Sequence, residues 1–354
     1  MLAPPPLPRT LAACLRDLSS QKAQTRASAV RDLVRHALLS DETRTTSIPL
    51  FEKALRDDVS IVRSGAAVAL ADVHASEALP ALLVAVEDED AHVRQMALNA
   101  LGEIGDRRAR ARLSRALVDS RPEVRYQAII AFARVAKDEP ADVALALESA
   151  LGDKDHAIRY IALRLAEDHR LEAHTALAKR TRALLIDDQE DAKVTLAAAI
   201  FLARSGDDRA RAALVAVVRD GAGGAEREDE QAAVELAGVL ALREAIPYLE
   251  RRAWGVTRLV RETCAWHSKI ALASMRHERA TREILDDLGS WRRDARQAAV
   301  VAAGRARLAE ARAKIAALGD TVDADLAKEA LALIDLGARE QPSQPSPPSK
   351  AGTE

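Results

Sequence analysis

The chain has 354 residues, of which 48% are hydrophobic, 30% are charged and only 3% are aromatic, and its formal net charge is −2. A net charge this small disfavours a chain-wide attraction to nucleic acid or to a membrane surface. No apolar run approaches the ~20 residues that span a bilayer, and residues 1–8 lack the regions of a signal peptide, so we expect a cytoplasmic protein that binds no membrane. The two cysteines, Cys14 and Cys264, are far apart along the chain and are predicted to be buried apolar residues.

In chain order, the sequence predicts a short lead, a long helical region and a tail. Residues 1–9 contain four prolines and are predicted to be a disordered lead. Residues 10–337 show helical periodicity in ten pairs of segments, and we assign them to one domain without β-strands. Residues 338–354 are rich in proline and serine and contain no apolar residue larger than alanine, so they cannot offset the entropy of ordering and should form a disordered tail.

The helix pairs are predicted from apolar periodicity and from turn residues. The first helices of the pairs are expected near residues 10–19, 47–57, 76–88, 106–118, 139–151, 171–186, 207–219, 244–252, 277–289 and 307–319. The second helices are expected near residues 24–38, 60–74, 91–104, 122–136, 156–169, 190–204, 228–242, 258–273, 293–306 and 322–337. The connections at residues 39–47 and 220–229 are longer than the others, and the second is predicted to be a flexible joint.

An arginine recurs near the start of the second helix of most pairs, usually three residues before an alanine and seven before a leucine or its substitute. We call this position the repeat mark and number the other positions of the helix from it. The marks are Arg26, Arg63, Arg94, Arg125, Arg159, Thr195, Glu230, Arg261 and Arg296. Successive marks are 31 to 37 residues apart, and an aspartate lies six residues before several of them. A period of this length is typical of stacked helix pairs.

With these residues the sequence resembles the HEAT-repeat family, including the short variant found in phycobilin lyases. The resemblance implies a unit of two antiparallel helices, with an aspartate in the turn between them and an arginine or lysine opening the second helix. It covers roughly residues 10–337 and implies an all-α fold, an α-solenoid (alpha-alpha superhelix) of about ten HEAT-like helix-pair repeats. It is specific for architecture rather than activity, because the recurring residues build the repeat.

The recurring charged residues are predicted to have a structural role. Positions −1, +3, +4 and +7 share one face of the second helix, which is the predicted core face. The arginine flanks that face, within reach of the aspartate six residues earlier and of the equivalent aspartate in the next repeat. An exposed ion pair of this kind contributes only ~0–1 kcal/mol. The predicted structural ladder consists of Asp57, Arg63, Asp88, Arg94, Asp119, Arg125, Asp153 and Arg159.

Positions +1 and +5 point away from the core face and are the predicted partner-binding positions. In HEAT-like arrays the second helices line the concave surface, so a partner is expected there. Contiguous exposed apolar surface usually marks an interaction site. The predicted partner-binding residues are Tyr126, Ile130, Tyr160, Leu196, Ile200 and Trp266. The alternative is that the superhelical twist buries these positions between neighbouring helices.

Basic and aromatic residues are concentrated toward the carboxyl end. Trp254, Trp266 and Trp291 fall within 38 residues, and residues 243–315 contain 16 Arg or Lys against 9 Asp or Glu. Basic residues interleaved with aromatic rings suit a nucleic-acid backbone with stacked bases. The alternative is that the three tryptophans belong to the core of divergent terminal repeats. A second basic segment, with Arg108, Arg112 and Arg115 on one helix face, could contact an acidic partner.

The sequence contains no recognisable catalytic constellation. A Gly-rich phosphate loop, a nucleophile elbow and a Cys/His pairing are all missing. HEAT-like deoxyhypusine hydroxylases bind di-iron through several His-Glu dipeptides, whereas this chain has one, His277-Glu278. Asp168, His169 and Glu172 have metal-ligand spacing but straddle a predicted turn. We therefore predict a scaffold without catalytic residues, metal or cofactor that binds another protein. The alternatives are a nucleic-acid-binding protein and a phycobilin-lyase-like or other HEAT-like enzyme subunit.

Overall fold

The computed structural model describes residues 9–255 and 264–340. Within these residues the regular elements are helices, as the sequence predicts, and twenty of them are α-helices arranged as ten pairs. The first helices are α1 (Leu11–Asp17), α3 (Asp41–Ala54), α5 (Leu79–Ala85), α7 (Arg110–Ala116), α9 (Pro140–Ala150), α11 (Thr175–Leu185), α13 (Asp208–Asp220), α15 (Ile246–Trp254), α17 (Glu278–Asp287) and α19 (Arg312–Ala316). The second helices are α2 (Ala23–Ala37), α4 (Ser60–Asp72), α6 (Ala91–Ile104), α8 (Pro122–Val135), α10 (His156–Asp168), α12 (Ala192–Arg204), α14 (Arg227–Val239), α16 (Ala265–Ser274), α18 (Arg293–Arg305) and α20 (Ala324–Glu340).

The helix pairs are distributed over two compact units, of which unit 1 ends at Val194 and unit 2 begins at Thr195. In unit 1 the second helices pack in sequence, α2 on α4, α4 on α6, α6 on α8 and α8 on α10. In unit 2, α14 packs on α16, α16 on α18 and α18 on α20. The prediction of a single domain over residues 10–337 remains a prediction.

Small residues allow the second helices to approach one another closely. Of the predicted core positions, +3 and +7 are buried at every described mark and −1 and +4 at most of them, for example Val93, Ala97 and Leu101 at 0% exposure. Adjacent second helices also approach closely at position +8. A Cβ atom at Gly102 would lie 3.0 Å from the Cα of Ala131 on the next second helix. The absence of a side chain at this position therefore lets the backbones come together.

Helix α3 begins earlier than predicted. Residues 39–47 are predicted to be a long connection, but the helix starts at Asp41. The side chain of Ser40 accepts a hydrogen bond from the backbone N–H of Thr43 at 3.2 Å, and Asp41 and Glu42 occupy the first turn. The capping serine stabilises the helix start because its oxygen accepts a hydrogen bond from a backbone N–H that has no partner within the helix. The acidic residues stabilise it because their negative charge interacts favourably with the positive end of the helix dipole.

The ordered region extends into both of the predicted disordered ends. Arg9, assigned to the lead, donates hydrogen bonds from Nη1 to Ser28 Oγ at 2.6 Å and to Asp32 Oδ2 at 2.5 Å. Helix α20 continues to Glu340, three residues into the predicted tail. The rest of the lead and of the tail, residues 1–8 and 341–354, lies outside the described residues.

The register of the eighth repeat differs from the prediction. In six repeats a residue with positive φ follows the second helix, eleven residues after the mark. These residues are His74, Gly105, Arg170, Gly206, Ala241 and Arg307. In α16 the corresponding residue is Arg276, so the mark lies at Ala265, whereas the predicted mark, Arg261, lies outside the described residues. Cys264 is buried as predicted, but it precedes the mark, and Trp266 occupies position +1.

Gly238→Ala is expected to lower the melting temperature, because α14 and α16 leave no space for a methyl group. The added Cβ would lie 2.4 Å from the Cα of Ala271, and overpacking of this kind costs about 1–3 kcal/mol. Gly65→Ala is the matched control. A Cβ at Gly65 meets no atom within 4 Å, so alanine should stabilise α4 by about 0.5–1 kcal/mol. Thermal unfolding followed by circular dichroism measures both, and equal stabilisation would contradict the close approach.

Candidate functional site

A ladder of arginine and carboxylate side chains connects consecutive repeats of unit 1. Each arginine donates hydrogen bonds from Nε and Nη2 to both oxygens of a carboxylate in the next repeat. The pairs are Arg26–Asp57, Arg63–Asp88, Arg94–Asp119, Arg125–Asp153 and Arg159–Glu190. For Arg94 the two distances are 2.9 and 3.0 Å, and for Arg125 both are 2.7 Å. The fork geometry matches that of a bidentate guanidinium–carboxylate pair.

Each ladder arginine also holds the turn that precedes its own helix. Arg94 Nη1 donates to the backbone carbonyl oxygens of Asp88 at 2.9 Å and of Glu89 at 3.2 Å. The carboxylate of Asp88 meanwhile accepts from the backbone N–H of Asp90 at 2.9 Å and from Arg63. The predicted contact with the aspartate six residues earlier is therefore made through its carbonyl group. The carboxylate of that aspartate instead accepts hydrogen bonds from the arginine of the preceding repeat, as Asp88 does from Arg63.

The ladder pairs are more buried than the exposed ion pairs that the sequence predicts. The side chains of Arg63 and Asp88 are 10% and 12% exposed, and those of Arg94 and Asp119 are 14% and 16% exposed. Burial alone would raise the pKa of Asp119. The hydrogen bonds donated by Arg94 and by the backbone N–H of Arg121 outweigh that effect and lower its pKa below the ordinary value. The pKa of Asp153 is lowered in the same way, with Arg125 as its partner.

The described part of unit 2 departs from this pattern. Thr195 and Glu230 occupy two marks in place of arginine. Arg252 Nη1 donates to Glu230 Oε1 at 2.8 Å, so the charges of this pair are reversed relative to unit 1. At the mark Arg296, the guanidinium bonds to the backbone carbonyl oxygens of Ser290 at 2.7 Å and of Thr321 at 3.1 Å.

The structure places the predicted partner-binding residues in two different environments. Tyr126 and Ile130 on α8 and Tyr160 on α10 are half-buried on the side of their helices away from the core face. Leu196 and Ile200 on α12 are only 4% and 1% exposed, so the prediction that they are exposed is wrong. Residues 196–203 are all buried, and a helix that is apolar on every side is enclosed on every side.

We define the second-helix face of unit 1 as the solvent side of α4, α6, α8 and α10. It contains the half-buried residues Val68, Gln95, Met96, Asn99, Tyr126, Gln127, Ile130, Tyr160 and Ile161. Ion pairs at one end of the face join Arg134 to Glu103 and, at 3.0 Å, Arg164 to Glu167. Sequence reasoning missed Met96, Gln127 and Ile161, which lie at position +2. The advance of 100° per residue places that position beside +1 and +5, and this signal could have found them.

The three tryptophans of unit 2 also differ in environment. Trp254 is half-buried, its Nε1 donates to Glu283 Oε2 at 3.1 Å, and the guanidinium of Arg279 lies 4.1 Å from the ring centroid. Trp266 is half-buried, and the guanidinium of Arg305 lies 5.6 Å from its ring centroid. Cation–π contacts therefore engage both rings within the chain. Trp291 is 89% exposed, so it does not belong to the core as the alternative prediction proposed.

Many side chains of the two basic segments form ion pairs within the chain. Arg305 Nη1 bonds to Glu235 Oε1 at 3.0 Å, and the same oxygen is 2.6 Å from His267 Nδ1. In the amino-terminal basic segment, Arg108 pairs with Asp106, and Arg112 pairs with Glu87. These contacts lower the positive charge available to an outside anion.

The described residues contain neither a metal-binding cluster nor a helix that could span a membrane. No group of three or more His, Cys, Asp or Glu side chains comes together there in a way that could hold a metal ion, including near His169. Among the helices of the described ranges, none has the length and apolar character to cross a bilayer.

Comparisons with known proteins show what the repeats are similar to. Residues 48–133 and 79–167 match a family model described as HEAT repeats. The CpcE–CpcF complex of phycocyanin lyase from Nostoc matches at 17% identity over 78% of this chain and 97% of that chain, with a TM-score of 0.43. Human deoxyhypusine hydroxylase matches at 19% identity over 83% and 95%, with a TM-score of 0.32. The Kap95:Nup1 complex matches at 13% identity over 92% and 49%, with a TM-score of 0.57. No curated protein sequence matches.

Asp119→Asn tests the ladder through the pH dependence of stability. A carboxylate whose pKa is lowered by folding stabilises the chain above its unfolded-state pKa of about 3.9, and this contribution is lost as the pH falls through the folded-state value. The substitution should lower the free energy of unfolding at neutral pH by about 1–3 kcal/mol. It should also weaken the decline in stability between about pH 5 and pH 2.

Urea unfolding across that pH range measures the effect. Asp188→Asn is the control, because Asp188 is exposed and has no ion pair within the described part of the chain. The ladder assignment would be contradicted if the two variants had the same pH dependence.

The reversed pair in unit 2 predicts a non-additive result. Glu230→Arg should destabilise the protein by about 1–3 kcal/mol, because it leaves Arg252 facing a like charge. Adding Arg252→Glu should recover part of that loss by restoring opposite charges. Denaturant unfolding of the two single variants and the double variant gives the coupling free energy. Additive effects would show that the two side chains do not interact in solution.

Proposed function

Because residues 48–167 are HEAT repeats within an all-α solenoid, we propose that this protein is a non-catalytic scaffold that binds another protein along the second-helix face of unit 1. One observation carries the proposal. Tyr126, Ile130 and Tyr160 lie on two neighbouring second helices, on the side away from the core, and all three remain partly exposed.

The chemistry of this face suits a protein partner. Aromatic residues are enriched in the centres of protein interfaces and often contribute most of the binding energy there. Charged residues are depleted from such centres, and here the charges of Glu103 and Arg134 are paired at one end of the face. Apolar side chains flanked by paired charges match the usual arrangement of an interface core and its rim.

The comparisons support the general proposal that the chain binds another protein. The Kap95:Nup1 complex is, by its name, an assembly of two proteins, and its fold is shared with this chain at a TM-score of 0.57. An identity of 13% shows a common fold and does not identify a partner. The proposed partner-binding residues are therefore inferred from the surface of this chain and not from the comparison.

The nucleic-acid alternative has weaker support. Stacking of bases requires free aromatic faces, but Arg279 lies over Trp254 and Arg305 lies over Trp266. The exposed ring of Trp291 is the remaining feature that favours it. For the phycobilin-lyase alternative, the likeness to phycocyanin lyase has a TM-score of 0.43 and carries no argument about activity.

Capture of a partner tests the proposed surface. Tyr126→Ser combined with Ile130→Ser should reduce recovery of native partners at least about tenfold, because loss of two interface anchors commonly costs more than 1.4 kcal/mol. The tagged chain is purified from its native cells, and co-purifying proteins are quantified by mass spectrometry.

Leu145→Ser is the control for this experiment. Leu145 is 61% exposed on the first helix α9 and is not part of the second-helix face, so its substitution should leave recovery unchanged. Thermal unfolding of each variant verifies that the fold is retained. Recovery of the same partners in equal amounts by the Tyr126/Ile130 variant would refute the proposed surface.

A further inference from the structure

A pair of side-chain amides joins two neighbouring helices in the second-helix face of unit 1. Gln127 Nε2 on α8 donates to Asn99 Oδ1 on α6 at 3.2 Å. Both side chains are half-buried and lie beside Tyr126 and Ile130 in the same face. The pair is therefore part of the surface on which the proposed partner would lie.

The amide pair leaves a donor and an acceptor without a protein partner. An amide side chain offers two N–H donors on its nitrogen and one carbonyl oxygen, so the single bond between the two residues leaves Asn99 Nδ2 and Gln127 Oε1 without a bond, together with the second N–H of Gln127 Nε2. Neither atom has another hydrogen bond within the described residues. Exchanging the O and N positions of both amides would also leave one donor and one acceptor, so the result does not depend on that assignment.

The centre of the face carries no net charge. Its amide, aromatic and aliphatic side chains are neutral, and the charged groups at its end form the pairs Arg134–Glu103 and Arg164–Glu167. A nucleic acid would require a row of unpaired cations to contact its phosphates. A strongly acidic or basic peptide would likewise find no opposite charge at this centre.

An extended polypeptide supplies the complementary groups. Its backbone presents N–H and C=O groups that must be satisfied when they are buried. The backbone of an α-helix satisfies these groups internally, so a docked helix would leave the two amides unsatisfied. An extended segment could bond to both amides while its apolar side chains contact Tyr126 and Ile130.

We propose that the partner segment is an extended, uncharged stretch of polypeptide, whose backbone bonds to Asn99 and Gln127 and whose apolar side chains pack on Tyr126 and Ile130. This inference rests on the proposed function and specifies the ligand of the same surface. The amide pair acts as a sequence-independent clamp, and the neighbouring aromatic and aliphatic residues select apolar side chains.

Selection of peptides on the purified full-length chain tests this inference. The probe is a phage-displayed library of short random peptides. We expect enrichment of peptides with aliphatic or aromatic residues, little net charge and no helical spacing of their apolar residues. Enrichment of strongly charged peptides, enrichment of peptides with apolar residues at i, i+3 and i+4, or no enrichment would contradict the inference.

Backbone methylation of a selected peptide then tests the clamp. N-methylation removes one backbone N–H, and at the clamped residue it should weaken binding to the wild type about tenfold. Asn99→Ala with Gln127→Ala should weaken binding of the unmodified peptide to a similar extent, and methylation should then have no further effect. Gln189→Ala, in an exposed turn, is the control and should behave as the wild type. Equal effects of methylation on the wild type and on the double alanine variant would overturn the clamp.

Recovery of native partners by the two double variants distinguishes a failure of the amide clamp from a failure of the proposed function. If native partners are retained by the Asn99/Gln127 variant but lost by the Tyr126/Ile130 variant, the scaffold function stands and the clamp is wrong. If the Tyr126/Ile130 variant also retains them, both are wrong.

Discussion

The fold of unit 1 depends on a bidentate arginine–carboxylate contact that is repeated from one helix pair to the next. The arginine Nε and Nη2 atoms bind the carboxylate of the following repeat, and Nη1 holds carbonyl groups of the turn before its own helix. One side chain thus fixes both the turn within a repeat and the position of the next repeat. Lysine could not replace it, because a single ammonium lacks the planar fork that makes these contacts together.

The ladder sets the register of the second helices and so determines which residues remain outside. Once position 0 is fixed at the ladder edge, positions −1, +3 and +7 lie on the core side of the helix, and positions +1, +2, +5 and +9 lie on the other side. Small residues at +8 then let adjacent helices pack tightly, as Gly102 does against Ala131. The side chains that are neither core nor ladder form a continuous row across the helices. The proposed function depends on that row.

Periodicity in the sequence was sufficient to predict the helical architecture, because the same physical constraints recur in every repeat. Helix α6 was predicted at residues 91–104, and it spans Ala91–Ile104. The early start of α3 is encoded by the capping serine at Ser40, a signal that apolar periodicity does not contain. In the eighth repeat the predicted register is wrong because Arg261 has the residue type and approximate spacing of a repeat mark. The residue at the mark itself is Ala265. In both cases the repeat pattern alone does not locate the helix: the start of α3 depends on its capping residue, and the register of α16 is shown by the residue with positive φ that follows it.

The candidate surface was only partly predictable. Helical spacing places Tyr126 and Ile130 on the side of α8 away from the core face, and the structure leaves both partly exposed. The burial of Leu196 and Ile200 depends on what surrounds α12, and helical spacing contains no information about that. The hydrogen bond between Asn99 and Gln127 joins residues 28 positions apart. It required the structure, because only the packing of α6 on α8 brings the two amides together.

Site-specific photo-crosslinking measures the central claim most directly. A photoreactive phenylalanine derivative is placed at Tyr126 or at Leu145, and the living cells are irradiated. The account predicts covalent attachment of a discrete partner protein at the Tyr126 position and none at the Leu145 position. Attachment of the same partner only at the Leu145 position would contradict the account, because it would place binding on the first helices.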